Sequence, residues 1–374
     1  MGNNPAKAAW WKGNLMNRRH LILSAAALLA GTALMGAPMR SALAADGEIR
    51  VLNWNGYGTD EKFAVAKFKE MTGITVVHDY YTSEQEMLTK MRTSPGAYDV
   101  VVVGTPFLPA AREEGLIEPI DTAKIANLAD VSPQFKDSDI VKVDGKSWGV
   151  PWVWGINSFA YNTDVVKEKL TSINALWDPK FAGRVSLRDD GIFNVQMAAI
   201  ALGQDINDPA DMAAIKTKLL ELKPQIRSFW ASEDEWMKGM AGKNFDIGEI
   251  WAGGAARAIK KYKLPVDFVV PAEGASAWFD VMMIATGAPN KDGAEKFINY
   301  MISPDFYVTW DTQAGAAVSA NLKAVEGLPA DAFNRVVMGQ PDVLERLKFA
   351  KPLTEEKRQE IQELWAEVKT EFAQ

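Results

Sequence analysis

The sequence predicts an α/β chain of two lobes hinged by more than one crossing. Three observations point there. Short β-type runs alternate strictly with helical runs over residues 49–115 and again over residues 165–250, which implies parallel strands covered on both faces. Two extended segments, residues 151–162 and 278–285, separate these stretches and suit a crossing and a return. No internal repeat or low-complexity linker interrupts the chain, so lobes joined twice would hinge without a flexible tether.

Residues 49–53 read as a strand. Residues 60–72 carry Phe63, Ala64 and Phe68 as apolar positions of a helix, with Gly73 as its stop. A strand at 74–80, a helix at 84–93 and a strand of buried character at 98–103 follow. Residues 109–114 are helical up to Gly115. Ligands on such sheets bind beyond the carboxyl ends of the strands. Asp144-Gly145 signals a tight turn between short strands. Strands are expected at 184–187, 247–250 and 266–270, and helices near 195–201, 209–222, 234–242, 293–301 and 304–311. In the tail, residues 355–372, one face carries Ile361, Leu364, Trp365 and Val368. That is an amphipathic helix packed on a lobe.

The N-terminus reads as an export signal. Residues 1–20 hold Lys7, Lys12, Arg18 and Arg19 and no acid, residues 21–37 are nearly all apolar, and Ala42-Leu43-Ala44 offers a cleavage site. Arg18-Arg19 ahead of the apolar run is a twin-arginine pattern. Gly31, Thr32, Gly36 and Pro38 break the run short of the roughly 20 apolar residues a spanning helix needs. Cleavage after Ala44 leaves 36 Lys and Arg against 48 Asp and Glu. An acidic chain of that balance is no nucleic-acid binder and stays off anionic membranes.

The residue inventory narrows the chemistry further. The chain has no Cys, which removes thiol chemistry and Cys-ligated metal. Of two His, His20 leaves with the signal, so a catalytic triad or a two-His zinc site would depend on His78 alone. In its apolar run His78 reads as a strand residue. No cofactor or metal is expected, and the chain is not expected to be an enzyme.

Aromatic residues form the clearest constellation. Trp54 and Tyr57 follow the first strand, Trp152 and Trp154 lie in the first crossing, Trp251 ends a strand-like run before Ala252-Gly253-Gly254, and Trp278 opens the return crossing. One such Trp would be a core residue. Four clusters at strand ends and crossings suit an aromatic-lined cleft, where a ring face can hold a cation. Asp280 shares a strand face with Trp278. Asp190 follows another strand, either as a ligand contact or as the N-cap of the next helix. Arg188 beside it can neutralise an acid or fork onto a ligand carboxylate.

Arg50-Val51-Leu52-Asn53-Trp54-Asn55-Gly56-Tyr57, Tyr98-Asp99-Val100-Val101-Val102, Pro151-Trp152-Val153-Trp154-Gly155, Asp246-Ile247-Gly248-Glu249-Ile250-Trp251 and Trp278-Phe279-Asp280 occur in that order. Together they resemble the spermidine/putrescine-binding proteins of polyamine ABC transporters. The resemblance implies the two-lobed periplasmic binding protein (Venus flytrap) fold, with residues 45–155 and 281–325 in one lobe and 156–280 and 326–374 in the other. It implies a periplasmic monomer that passes a small amine to permease subunits in the inner membrane. Trp54, Tyr57, Asp190, Trp251, Trp278 and Asp280 match ligand-contacting positions, and Thr105, Trp154, Arg188 and Phe193 complete the candidate set.

The chain departs from the family where it has Asn55-Gly56, Gly104-Thr105-Pro106-Phe107, Phe193 and Ala317-Val318-Ser319. At these places the resemblance implies acids, hydroxyls or a tyrosine. A buried ammonium without an acid costs several kcal/mol, so the remaining carboxylates suit one cationic centre. Putrescine, a betaine, or an amino acid whose carboxylate meets Arg188 would fit. Two other classes stay open: a carboxylate-dependent hydrolase using Asp189, Asp190, Glu249 or Asp280, and an iron carrier using Tyr80-Tyr81. Adjacent strand residues point to opposite faces, which disfavours the carrier.

Overall fold

Wholly buried Val51 and Leu52 centre β1 (Glu48–Asn53), the first strand of the part the structure describes. The computed structural model describes residues 47–374. The expected signal at residues 1–44, its Arg18-Arg19 pair and its cleavage point lie outside the described residues. The chain continues through α1 (Lys62–Thr72), β2 (Thr75–Tyr80), α2 (Glu84–Thr93), β3 (Val100–Gly104) and α3 (Leu108–Glu113). α1 buries Ala64 and Phe68 and ends at Gly73, whose φ of 77° needs a residue without Cβ. The Ser83 side chain caps α2 at Glu86 N. β1 pairs in parallel with β2 and β3.

After β4 (Ile117–Glu118) and α4 (Pro133–Lys136), a hairpin joins β5 (Lys142–Val143) to β6 (Lys146–Ser147). It turns on Asp144 and Gly145, with φ of 52° and 73°. The first crossing is β7 (Val150–Asn162). A second set follows, with β8 (Val185–Arg188), α5 (Gly191–Ala201), α6 (Met212–Leu220), β9 (Ile226–Trp230), α7 (Glu233–Ala241) and β10 (Ile247–Trp251). Then come α8 (Ala252–Lys260), β11 (Val266–Val269) and the return strand β12 (Ala275–Ala285). β8 is parallel to β9 and β10. The remainder is α9 (Lys291–Met301), α10 (Pro304–Ala314), β13 (Val318–Ser319), α11 (Leu322–Glu326), α12 (Pro341–Glu345), β14 (Leu347–Phe349) and α13 (Glu355–Ala373).

The two parallel sets are one sheet, in the order β2-β1-β3-β12-β7-β10-β8-β9. Both alternating stretches pair in parallel, as expected, and the two crossings run against them. β12 runs antiparallel to β3 and β7, and β7 runs antiparallel to β10 and β11. A strand that leaves one set for the other is not fed by a βα unit, so nothing forces it parallel. The β7–β12 ladder shifts register between Asp280 and Val281, leaving Trp152 opposite no residue of β12. Pro151, which has no N–H to donate, sits at that bulge.

Two apolar cores flank the ladder. One gathers Val51, Val100–Val103, Trp152 and Phe297, and the other gathers Phe159, Leu187, Val195, Ile215 and Trp365. α13 buries Ile361, Leu364, Trp365 and Val368, the face its pattern predicts. Asp189 pins this helix, accepting from Trp365 Nε1 at 2.8 Å and Lys369 Nζ at 2.8 Å.

Helix α8 is absent from the sequence reading, because Gly253-Gly254 reads as loop. Packing overrides propensity there. Ala252, Ala255 and Ala258 are buried, and a Cβ on Gly254 would lie 2.8 Å from the Ile250 side chain.

Gly155 stands opposite Trp278 in the ladder, and a Cβ on it would meet the indole at 2.6 Å. Gly155→Ala should therefore cost roughly 1–3 kcal/mol by overpacking and swing Trp278. Chemical denaturation with tryptophan emission as the readout checks both effects. Unchanged stability and an unchanged spectrum would contradict this packing.

Candidate functional site

Aromatic side chains from both halves of the sheet meet over its middle. A cleft of about 1030 Å³ opens there, lined by Tyr57, Arg188, Trp251, Trp278 and Trp310 among others. Each of the first three follows or ends a strand on the carboxyl side. Tyr57 is set by its loop: Asn53 Nδ2 donates to the Tyr57 carbonyl at 3.1 Å and to Thr59 Oγ1 at 2.8 Å. Gly58, at φ 77°, brings the backbone against Trp310, where a Cβ would lie 2.6 Å from the ring. The Tyr57 ring stands edge-on to Trp152 and Trp54, at 5.3 and 5.5 Å. Trp152 stacks on Trp310 at 5.2 Å.

Behind this wall lies a buried acid. Tyr57 Oη donates to Asp280 Oδ2 at 2.6 Å, and Asp280 is only 6% exposed. Burial is the largest influence on its carboxyl. The Tyr57 hydrogen bond pulls down and the Glu84 charge pushes up, and the result stands at about 7. Burial also raises the Tyr57 hydroxyl and the Glu84 carboxyl. Among the described residues no Lys, Arg or His pairs with Asp280. The cost of ionising it is left for something else to offset.

The opposite wall is basic. Arg188 lies 5.4 Å from the Trp251 ring and 6.0 Å from that of Trp230. It pairs with Asp190 at 3.4 Å. Arg257 is held by Glu233 at 2.7 and 2.5 Å, and Lys260 donates to the Asp311 carbonyl at 2.7 Å. Lys261 and Lys263 line the cleft as well, against a single lining acid, Glu61. Glu249 is wholly buried below, and burial raises its carboxyl well above the usual range. Its Oε2 accepts from Arg188 N at 2.7 Å.

Of the candidates named from sequence, Tyr57, Arg188, Trp251 and Trp278 line the cleft. Trp54 is half-buried, 4.7 Å from the Tyr81 ring. Asp190 caps α5 by accepting from Phe193 N at 3.1 Å. Trp154, Thr105 and Phe193 sit in the interior. Trp154 packs on Phe135, Thr105 donates to the Phe279 carbonyl at 3.1 Å, and Phe193 faces Phe159 and Met197. Tyr80 is exposed and Tyr81 buried, the Tyr81 hydroxyl donating to the Val102 carbonyl at 2.6 Å. Among the described residues no three His, Cys, Asp or Glu side chains group as a metal site. Sequence reasoning missed Trp310, Glu84 and the basic set on and after α8. Trp310 lies in a plain helical pattern, and α8 itself was hidden by its glycines.

The family described as bacterial extracellular solute-binding protein matches residues 64–334. The spermidine/putrescine-binding periplasmic protein of Escherichia coli is 33% identical over 259 residues, 68% of this chain and 72% of that protein. Spermidine/putrescine-binding periplasmic protein 1 of Haemophilus influenzae is 31% identical over 299 residues, 78% and 80% of the two chains. A solved spermidine/putrescine transporter substrate-binding protein, PotD of Streptococcus pneumoniae, superposes with a TM-score of 0.79 at 25% identity. That match covers 87% of this chain and 99% of the other.

A carboxyl raised to about 7 in the fold, against 3.8 in a free chain, keeps its proton between those values only when folded. Its contribution to stability is therefore full below pH 4 and lost as pH rises through 7. Asp280→Asn removes that loss and should stabilise the empty protein at pH 8 by roughly 2–4 kcal/mol, with little effect at pH 4.5. Thermal melts at the two pH values check this. A variant less stable than the parent at pH 8 would contradict it.

Proposed function

The chain belongs to the bacterial extracellular solute-binding proteins, and from that premise we propose that it captures a small amine of the putrescine and spermidine class in its inter-lobe cleft. It then delivers the amine to the permease of an ABC importer. The observation that carries this reading is Asp280, a buried carboxylate held by Tyr57 at 2.6 Å with no basic partner among the described residues. A ligand ammonium supplies the missing charge, and the rings of Trp54, Tyr57, Trp251 and Trp278 pack its methylene chain. Asp190 and Arg188 complete the contacts, while Thr105, Trp154 and Phe193 support the walls from within.

In this reading the lobes are residues 45–155 with 281–325, and 156–280 with 326–374, hinged on β7 and β12. The protein leaves the cytoplasm by the twin-arginine route, loses residues 1–44, and works in the periplasm as a monomer. It returns its ligand unchanged, as a carrier and not an enzyme. The names of the relatives from E. coli and H. influenzae favour the amine.

A second reading is favoured by Arg188 over Trp251 and by Lys260, Lys261 and Lys263 on the same wall. A zwitterion would place its ammonium at Asp280 and its carboxylate among these cations.

Protein taken from the periplasm, with its N-terminus sequenced to check the start at Ala45, decides among these. A ligand at 100 times its dissociation constant adds ~2.7 kcal/mol to stability. The melting temperature should rise with putrescine or spermidine and not with neutral sugars. A larger rise with 4-aminobutyrate than with putrescine would select the zwitterion. A response to sugars alone would overturn both readings.

A further inference from the structure

Glu84 opens α2, where a helix N-terminus favours an anion, yet it is half-buried and turned toward β3. A Cβ on Gly104 would lie 3.6 Å from Asp280 Oδ1 and 3.7 Å from Glu84 Oε1. Both oxygens thus approach the bare backbone of Gly104, where Pro106 Cδ stands 3.7 Å from the same Cβ position. Asp280 Oδ1 accepts no hydrogen bond from any described residue, although Asp280 is more than nine-tenths buried. Neither carboxylate belongs to an ion pair among the described residues. The aromatic floor is Tyr81, 4.7 Å from Trp54.

We propose that Glu84 and Asp280 form one two-carboxylate seat that holds a proton while the cleft is empty and releases it to solvent when the ligand's ammonium enters. The proposal rests on the amine reading and adds to it a residue and a pH dependence. Among the described residues, Tyr57, Tyr81 and Arg257 are the titratable groups that act on the pair or on its tyrosine partner. Tyr57, from the loop after β1, donates to Asp280 Oδ2, and Tyr81, just ahead of α2, donates away to the Val102 carbonyl. Arg257 of α8 acts on Tyr57, but Glu233 already neutralises it. Two acids that face one glycine in a partly buried site do not ionise independently. Burial, then the charge of Glu84, raises Asp280, and burial raises Glu84. An arriving ammonium replaces the shared proton as countercharge. Acidification therefore releases the ligand.

Calorimetric titration with putrescine from pH 5.5 to 8.5, in buffers of different ionisation enthalpy, tests this on the parent and on Glu84→Gln. For the parent, affinity should fall by up to about tenfold per pH unit below neutrality, and buffer dependence should show proton release. Glu84→Gln should bind about tenfold more weakly at pH 8.5. Its pH dependence should move to lower pH, because the like charge beside Asp280 is gone. Melting of the unliganded variant checks its fold, and the parent's profile stands without the variant. A flat profile with no proton release, or a Glu84→Gln protein matching the parent in affinity and profile, overturns the shared seat and leaves the amine reading intact. Failure of the parent to bind putrescine or spermidine at any pH overturns both.

Discussion

The antiparallel ladder between β7 and β12 is the constraint on which the rest depends. Every other strand of the large sheet joins one of these two, directly or through a neighbour. Each half of the molecule therefore inherits its position from this one pairing. The ladder also carries the chemistry. Trp278 lies over Gly155 across it, and Asp280 sits at its bulge, where Pro151 breaks the regular pairing. A bulge re-aims the side chains beside it. Here the extra residue is Trp152 of β7, and Asp280 stands on β12 at the edge of the shift.

That placement has an electrostatic consequence. Asp280 on β12 and Glu249 on β10 each lie two residues from a cleft tryptophan, and each is buried with no ion-pair partner among the described residues. The basic side chains line the cleft itself, on the wall formed by β8, α8 and the segment after it. The empty molecule thus has Asp280 as an acidic floor behind aromatic rings on one side, and on the other a cationic wall with Glu249 buried beneath it. Such a separation lowers stability, since buried carboxyls must stay protonated or accept a desolvation cost. It gives that stability back to a ligand with matching charge. Binding energy can then come from relief of the floor as much as from contact with the walls.

Much of this was legible in the sequence, and the rest was hidden for identifiable reasons. The parallel sets were readable because apolar runs and helical spacing alternate cleanly from Val51 to Val103. The α13 face was readable because Ile361, Leu364, Trp365 and Val368 recur at helical intervals. Tyr57, Trp251 and Trp278 stood out as large rings at strand ends or crossings, and all three line the cleft. Strand direction at the crossings was not readable, since side-chain alternation is identical in parallel and antiparallel ladders. Gly253-Gly254 masked α8, because close packing against Ile250 outweighs helix propensity there. Glu84 looked like an ordinary first-turn acid of a helix. Only the fold brings it to the same glycine, Gly104, as Asp280, some two hundred residues away. Asp190 was readable as a cap or as a contact. Its carboxylate does cap α5, with its second oxygen turned to Arg188.

The central claim is that Asp280 is the counter-charge for a ligand cation. Putrescine affinity at pH 8, measured by calorimetry on the parent and on Asp280→Asn, tests it most directly. Removing the charge while keeping the shape should weaken binding by roughly 2–5 kcal/mol, because the ammonium would be stranded without its partner. Equal affinity for the two proteins would contradict the account and place the ligand's charge elsewhere.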